Sequence, residues 1–124
     1  MTETMPARWD RATANTLAHL RETTGRPVSF LVTQAVLHAT NGGPDLTDYF
    51  ATPARGDTVR TTVTLHGDVA DRLHTIAAAH PSARGVRSRY AVVRACVRWW
   101  LDTDLDDLSA RLGGQWLRVE AHHA

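Results

Sequence analysis

The sequence predicts a mostly α-helical fold built around a two-stranded antiparallel β-ribbon, and three observations predict it. Residues 59–65 are rich in β-branched side chains and alternate between apolar and polar. Two segments with helical spacing of apolar residues follow, at about 69–79 and 89–101. A single strand leaves its edges and its apolar face uncovered, so it needs a partner strand. We therefore expect a homodimer, in which two chains pair their strands across a two-fold axis and the helices cover the apolar face.

The predicted strand has two chemically different faces, because neighbouring side chains point to opposite sides of a strand. The inward face is formed by Val59, Thr61, Val63 and Leu65. The outward face is formed by Arg60, Thr62 and Thr64. A guanidinium group and two hydroxyls are side-chain groups that hydrogen-bond readily to base edges and phosphates, and a two-stranded ribbon fits the major groove of duplex DNA.

Local signals set the ends of the two predicted helices. Asp68 is placed to cap the first of them. Pro81 and Gly85 interrupt the chain after His80, because proline cannot continue a helix and glycine favours a turn. The second helix begins near Ser88, whose following backbone amides are oriented to bind an anion.

These segments resemble the ribbon-helix-helix proteins of the Arc, MetJ and CopG type, which bind DNA. Residues 60–69 are similar to the family's strand and the entry to its first helix, and residues 88–97 are similar to its second helix. The resemblance implies that base edges are contacted by Arg60, Thr62 and Thr64. It implies that phosphates are contacted by Ser88 and Arg89. We expect Arg84 and Arg87, which lie in the same basic segment, to neutralise phosphates together with Arg89. The segment 80–87 is longer than the family's usual tight turn.

The charge distribution favours this interpretation over an ordinary α+β domain with a solvated polar face. Residues 51–101 contain eight arginines and three acidic residues, a net charge of +5, whereas residues 1–50 carry −1 and residues 102–124 carry −3. The whole chain carries only +1. A local excess of positive charge attracts a polyanion even when the overall charge is small.

Residues 1–43 predict a helical hairpin, with helices at about 11–22 and from Ser29 onward. Its apolar residues Leu17 and Leu20 match Leu73 and Ile76 of the second half. The hairpin is therefore either a degenerate second ribbon-helix-helix unit or an ordinary hairpin packed on the core. Residues 5–10 lack the Thr/Arg alternation and contain a proline, so we expect an extended arm there. The second strand of the ribbon is therefore expected to come from the other chain of a homodimer.

Residues 44–57 are predicted to form a linker, and residues 58–101 the DNA-binding domain. Residues 102–124 are predicted to form an acidic C-terminal helix and tail. The tail has apolar residues on one side that could anchor a protein partner. These are Leu105, Leu108, Leu112, Trp116 and Leu117.

The sequence contains no pattern typical of an enzyme, a metal site or a bound cofactor, and its single cysteine, Cys96, fits a core position. No apolar run reaches membrane-spanning length and no secretory signal is evident, so we expect a cytoplasmic protein with no membrane partner. The favoured function is a sequence-specific transcriptional repressor. Two alternatives are an antitoxin-like or adaptor module that holds a protein through its tail or N-terminal hairpin, and an accessory DNA-binding protein of plasmid transfer or partition.

Overall fold

The fold is a two-stranded antiparallel ribbon in which each strand is followed by a pair of helices. The computed structural model describes residues 2–50, 58–83, 85 and 87–102. In chain order the elements are β1 (Thr2–Asp10), α1 (Arg11–Thr24), α2 (Val28–Gly42), a short 3₁₀ helix (Thr47–Phe50), β2 (Thr58–His66), α3 (Gly67–Ala79) and α4 (Arg89–Leu101). The strand, helix, helix order of the first half is thus repeated in the second half. Within the described residues, no helix combines the length and the apolar character that crossing a membrane requires.

The ribbon forms within one chain, so the prediction of an intermolecular ribbon was wrong. β1 pairs with β2 along their whole lengths, from Thr2 opposite His66 to Asp10 opposite Thr58. The prediction of a strand at 59–65 is confirmed, but its partner is the segment that was expected to be an extended arm. A second copy of the chain is not needed to complete this ribbon.

β1 forms because its side chains alternate between buried and exposed, although their types are unusual for a strand. Met5, Ala7 and Trp9 point into the core, each at most 5% exposed. The Trp9 indole donates a hydrogen bond of 2.6 Å to the Thr61 hydroxyl on β2. Pro6 is tolerated because each strand of a two-stranded ribbon is an edge strand, with one row of backbone amides that faces away from the partner.

Asp10 ends β1 and caps α1. Its carboxylate accepts hydrogen bonds from the Thr13 amide at 3.2 Å and from the Thr13 hydroxyl at 2.6 Å. Burial raises the pKa of Asp10, but the hydrogen bonds from Thr13, together with the Asp10 backbone amide and the charge of Arg98, outweigh burial and hold the pKa below its usual value. The helix ends at Gly25, whose backbone is left-handed with φ of 70°, as a glycine readily allows.

Replacing Asp10 with alanine is expected to lower the free energy of unfolding by about 0.5–2 kcal/mol at neutral pH, since the cap is lost. The folded-state pKa lies below 3.8, the usual value of an aspartate, so the charged carboxylate contributes stability above that pH. The difference between wild type and Asp10→Ala should therefore shrink as the pH falls through the lowered pKa. Urea unfolding at a series of pH values measures it, and a difference that stayed constant down to pH 2 would contradict the role of the ionised cap.

The core lies between the ribbon and the helices, and α2 and α4 form its centre. α2 is buried on most of its circumference, at Leu31, Val32, Gln34, Ala35, Val36, Leu37 and Ala39. α4 buries Val92, Val93, Ala95, Cys96, Val97 and Trp100. The His38 ring stacks on Trp100 at 6.2 Å between ring centroids, which joins the two helices near their C-termini.

Helix α3 begins two residues earlier than predicted, and its cap is not Asp68. His66 is the N-cap, and its ring Nδ1 accepts a hydrogen bond of 3.2 Å from the Asp68 amide. Asp68 lies instead in the first turn, where a negative charge favours the helix dipole. At the other end, the His80 ring Nε2 accepts a hydrogen bond of 3.1 Å from the Leu46 amide and so attaches the segment between the two halves.

Helix α4 has the predicted bounds, and Ser88 is its N-cap. The Ser88 hydroxyl accepts a hydrogen bond of 3.3 Å from the Ala91 amide. The opposite end of α4 is joined to the 3₁₀ helix, because the Tyr49 hydroxyl donates a hydrogen bond of 2.5 Å to Asp102 and Arg98 donates one of 3.0 Å to the Tyr49 carbonyl. The hydrogen bond to Asp102 raises the pKa of Tyr49. The 3₁₀ helix is thereby held against the second half of the molecule.

Candidate nucleic-acid interface

One face of the ribbon is exposed over its central positions, on the side of the strands opposite the core. We call it the ribbon face and define it as Thr4, Pro6, Arg8, Arg60, Thr62 and Thr64. The predicted base-contacting residues Arg60, Thr62 and Thr64 all lie on it and all are exposed. The other three members come from β1, where the predicted homodimer would have placed a second copy of the β2 residues.

The residues of the ribbon face stand in opposite pairs. Thr4 faces Thr64, Pro6 faces Thr62 and Arg8 faces Arg60. The Thr4 and Thr64 hydroxyl oxygens are 3.2 Å apart and share a hydrogen bond.

A hydrogen bond at the outer edge of β2 shows which opposite pairs have closely spaced side chains. The Thr64 amide donates a hydrogen bond of 2.9 Å to the Ser29 hydroxyl at the start of α2, and so it points away from β1. Thr4 and Thr64 are therefore a non-hydrogen-bonded pair of the ladder, and so is every second pair, including Arg8 with Arg60. Opposite Cα atoms in such pairs are about 4.5 Å apart, and their side chains are close together. The same alternation turns the Pro6 nitrogen outward, so the proline removes no bond between the strands.

Arg8 and Arg60 form a concentrated positive site. Like charges directly opposite each other on a ribbon destabilise it. Within the described part of the chain, neither guanidinium group makes a hydrogen bond or an ion pair, and the ribbon face contains no acidic residue. An anion that contacts both arginines would relieve their repulsion.

The predicted phosphate-binding residues at the start of α4 are engaged with the protein itself. Ser88 uses its hydroxyl as the helix cap. Arg89 forms an ion pair with Glu3 on β1, and both side chains are about one-third exposed. Arg89 therefore lies beside the ribbon, but its charge is shared with a carboxylate.

Arg87 lies in the packed part of the molecule. Its Nε donates a hydrogen bond of 2.9 Å to the His80 carbonyl, and its guanidinium lies over the Phe50 ring at 4.0 Å from the centroid. This arrangement is typical of a structural arginine. Arg84, the fourth predicted phosphate contact, lies outside the described residues, as do the predicted anchors of the tail, which are Leu105, Leu108, Leu112, Trp116 and Leu117.

Sequence reasoning missed the contribution of β1 to this face, although one signal for it was present. Leu17 and Leu20 match Leu73 and Ile76, and the offset in residue number is the same for both pairs. The same offset applied to the predicted strand leads to residues 3–9, which lie inside β1. Extending the helical match into the strands would have identified both halves of the ribbon.

The described residues offer no other obvious centre of chemistry. In residues 2–50, 58–83, 85 and 87–102, no group of three or more His, Cys, Asp or Glu side chains could hold a metal ion. Cys96 is buried in α4, and burial raises the pKa of its thiol to about 12. Comparisons of the chain with protein-family models, with curated proteins and with solved structures find no match.

Proposed function

We propose that this protein is a sequence-specific DNA-binding protein of the ribbon-helix-helix kind, which inserts the ribbon face into the major groove and represses transcription by occupying its operator. The observation that carries the proposal is the pairing of Arg8 with Arg60 on an exposed face that is otherwise made of threonines and a proline. Arginine is the side chain that most often makes specific contacts to guanine, and threonine contacts bases through its hydroxyl and its methyl group.

The repeated order of elements supports the same proposal. A ribbon-helix-helix unit supplies one strand and two helices, and two units are needed for one ribbon. Here both sets lie in one chain, with β1, α1 and α2 followed by β2, α3 and α4. The N-terminal helical hairpin is preceded by its own strand, which favours a second ribbon-helix-helix unit over an ordinary hairpin. We therefore propose that one chain supplies both ribbon-helix-helix units.

Phosphate contacts are proposed at the start of α4, on the flank of the ribbon. The first amides of a helix attract anions, and Arg89 lies next to them. A DNA phosphate would compete with Glu3 for the Arg89 guanidinium. Arg87 is left out of the proposed contact set, because it already binds the His80 carbonyl and the Phe50 ring.

Changing Glu3 to glutamine is expected to strengthen binding to every duplex, because it releases Arg89 and removes one negative charge from the flank of the ribbon. If Arg89 then neutralises a phosphate fully, the slope of log K against log salt should become steeper by about 0.9. Fluorescence anisotropy at several salt concentrations measures this slope. Glu22→Gln is the matched control, since Glu22 is an exposed acid on α1. Equal slopes for Glu3→Gln and Glu22→Gln would argue against a phosphate at Arg89.

The proposed function is tested by selecting bound molecules from a pool of random duplexes. We expect the wild-type protein to enrich one sequence, and its affinity for that sequence to fall linearly on a log–log plot as the salt concentration rises. Enrichment of no sequence, together with salt-independent or undetectable binding, would overturn the proposal. Repression is tested separately, by placing the enriched sequence across a promoter and measuring the output of a reporter. Unchanged output with the site occupied would leave DNA binding intact and remove the repressor role.

A further inference from the structure

The ribbon has a local two-fold axis at its centre, and this axis relates the two halves of the sequence. β1 begins at Thr2 and β2 at Thr58, and the same offset in residue number separates the start of α1 from the start of α3. Pro6 and Thr62 are related by that offset too, and they face each other across the ribbon. The backbone of the ribbon therefore has the symmetry of a homodimer, with the axis passing between Pro6 and Thr62.

The side chains of the ribbon face do not follow this symmetry. The axis exchanges position 4 with position 60 and position 8 with position 64. In a homodimer these positions would carry the same residues, because both strands would come from identical chains. Here Thr4 corresponds to Arg60, and Arg8 corresponds to Thr64. One end of the ribbon face therefore carries two arginines, and the other carries two threonines that are hydrogen-bonded to each other.

The two ends are suited to different base pairs. Each arginine can donate two hydrogen bonds to O6 and N7 of a guanine in the major groove. The opposite Cα atoms are about 4.5 Å apart across the ribbon, so the two arginines lie side by side and can contact guanines at the same end of the site. The threonine pair carries no charge, and its methyl groups can contact the methyl group of thymine.

The separation of the two ends sets the distance between the two parts of a site. Position 8 follows position 4 by four steps along β1, and a strand rises about 3.4 Å per residue. The arginine pair and the threonine pair are therefore about 14 Å apart. That distance corresponds to about four base pairs along the duplex.

From this geometry we propose that the protein recognises a non-palindromic duplex and binds it in one orientation. Guanines lie at the Arg8–Arg60 end, and a thymine-containing segment centred about four base pairs away lies at the Thr4–Thr64 end. This inference rests on the proposed function and specifies its substrate. A symmetric ribbon would bind a palindrome, whereas this chain has independent residues at its two ends.

The test compares the sequences that the wild type and two variants select from random duplexes. The wild type should select a site with guanines in one half only. The variant Thr4→Arg/Thr64→Arg has arginines at both ends and should select guanines in both halves, which makes its site nearly palindromic. Arg8→Thr/Arg60→Thr should lose the guanine preference and bind the wild-type site about 5-fold to 150-fold less tightly for each lost guanine contact. All four positions are exposed, and far-ultraviolet circular dichroism checks that each variant remains folded.

The outcomes separate this inference from the proposed function. A wild-type site that is palindromic would overturn the inference and leave DNA binding intact. Guanines that persist in the site of Arg8→Thr/Arg60→Thr would also overturn it, since another residue would then recognise them. Failure of the folded wild type to bind any duplex would overturn the proposed function itself. Both the inference and the proposed function are supported if the wild type selects guanines in one half of its site and Thr4→Arg/Thr64→Arg selects them in both halves.

Discussion

Replacing Trp9 with alanine is expected to lower the free energy of unfolding by about 3–5 kcal/mol. The Trp9 side chain is only 1% exposed, and it fills the core beneath the end of the ribbon. Truncation leaves a cavity and also removes the hydrogen bond that the indole donates to Thr61. A loss of this size is a large part of the roughly 5–15 kcal/mol that stabilises a typical domain. Denaturant unfolding followed by circular dichroism measures it.

Two further variants separate the causes of this loss. Trp9→Phe keeps an aromatic ring but not the indole donor, and we expect a smaller loss of about 1–3 kcal/mol. Tyr90→Ala is the control, since Tyr90 is an aromatic residue that is 50% exposed, and its loss should be within about 0.5 kcal/mol. If Trp9→Ala were no more destabilising than Tyr90→Ala, β1 would not be packed on the core and the ribbon would have to be completed in another way.

If the ribbon face binds DNA as proposed, removing both of its arginines is expected to abolish specific binding. If each arginine contributes about 1–3 kcal/mol of base discrimination, Arg8→Ala/Arg60→Ala should lose about 2–6 kcal/mol on the preferred duplex. The folded state should not suffer, because the repulsion between two opposite like charges is removed. Titration of the preferred duplex and of a scrambled duplex of equal length measures the effect, and the preference between them should disappear.

Arg21→Ala controls for the loss of positive charge in this experiment. Arg21 is exposed in the last turn of α1 and is not part of the ribbon face. We expect a slight weakening of all duplexes and an unchanged preference between the two. If the double variant weakened both duplexes equally and kept its preference, Arg8 and Arg60 would contact phosphates only, and the bases would be recognised elsewhere.

The second half of the molecule could be predicted from local patterns. Alternation of β-branched residues marks β2, and Ser88 followed by an apolar stripe marks the start of α4. These features depend on residues that are neighbours in sequence, so the periodicity of the side chains is sufficient evidence for them. The cap of α3 was predicted incorrectly because a histidine ring nitrogen can accept an amide hydrogen bond as an aspartate does.

The partner of β2 could not be predicted in this way. Proline and the mixture of residues at 5–9 argued against a strand, but a two-stranded ribbon consists only of edges, where proline is tolerated. The contacts of Arg87 and Arg89 with the rest of the protein could not be predicted either. Their partners His80, Phe50 and Glu3 are brought close only by folding.

The sequence by itself determined where the second strand and its two helices lie, and it determined that Arg60, Thr62 and Thr64 share a face, because side-chain direction follows from the period of the backbone. Only the tertiary structure decided that the opposite strand is β1 of the same chain, and hence that Arg8 stands against Arg60. Strand pairing joins segments that are distant in this sequence, and the free energy that selects the partner comes from burying Met5, Ala7 and Trp9 in a shared core.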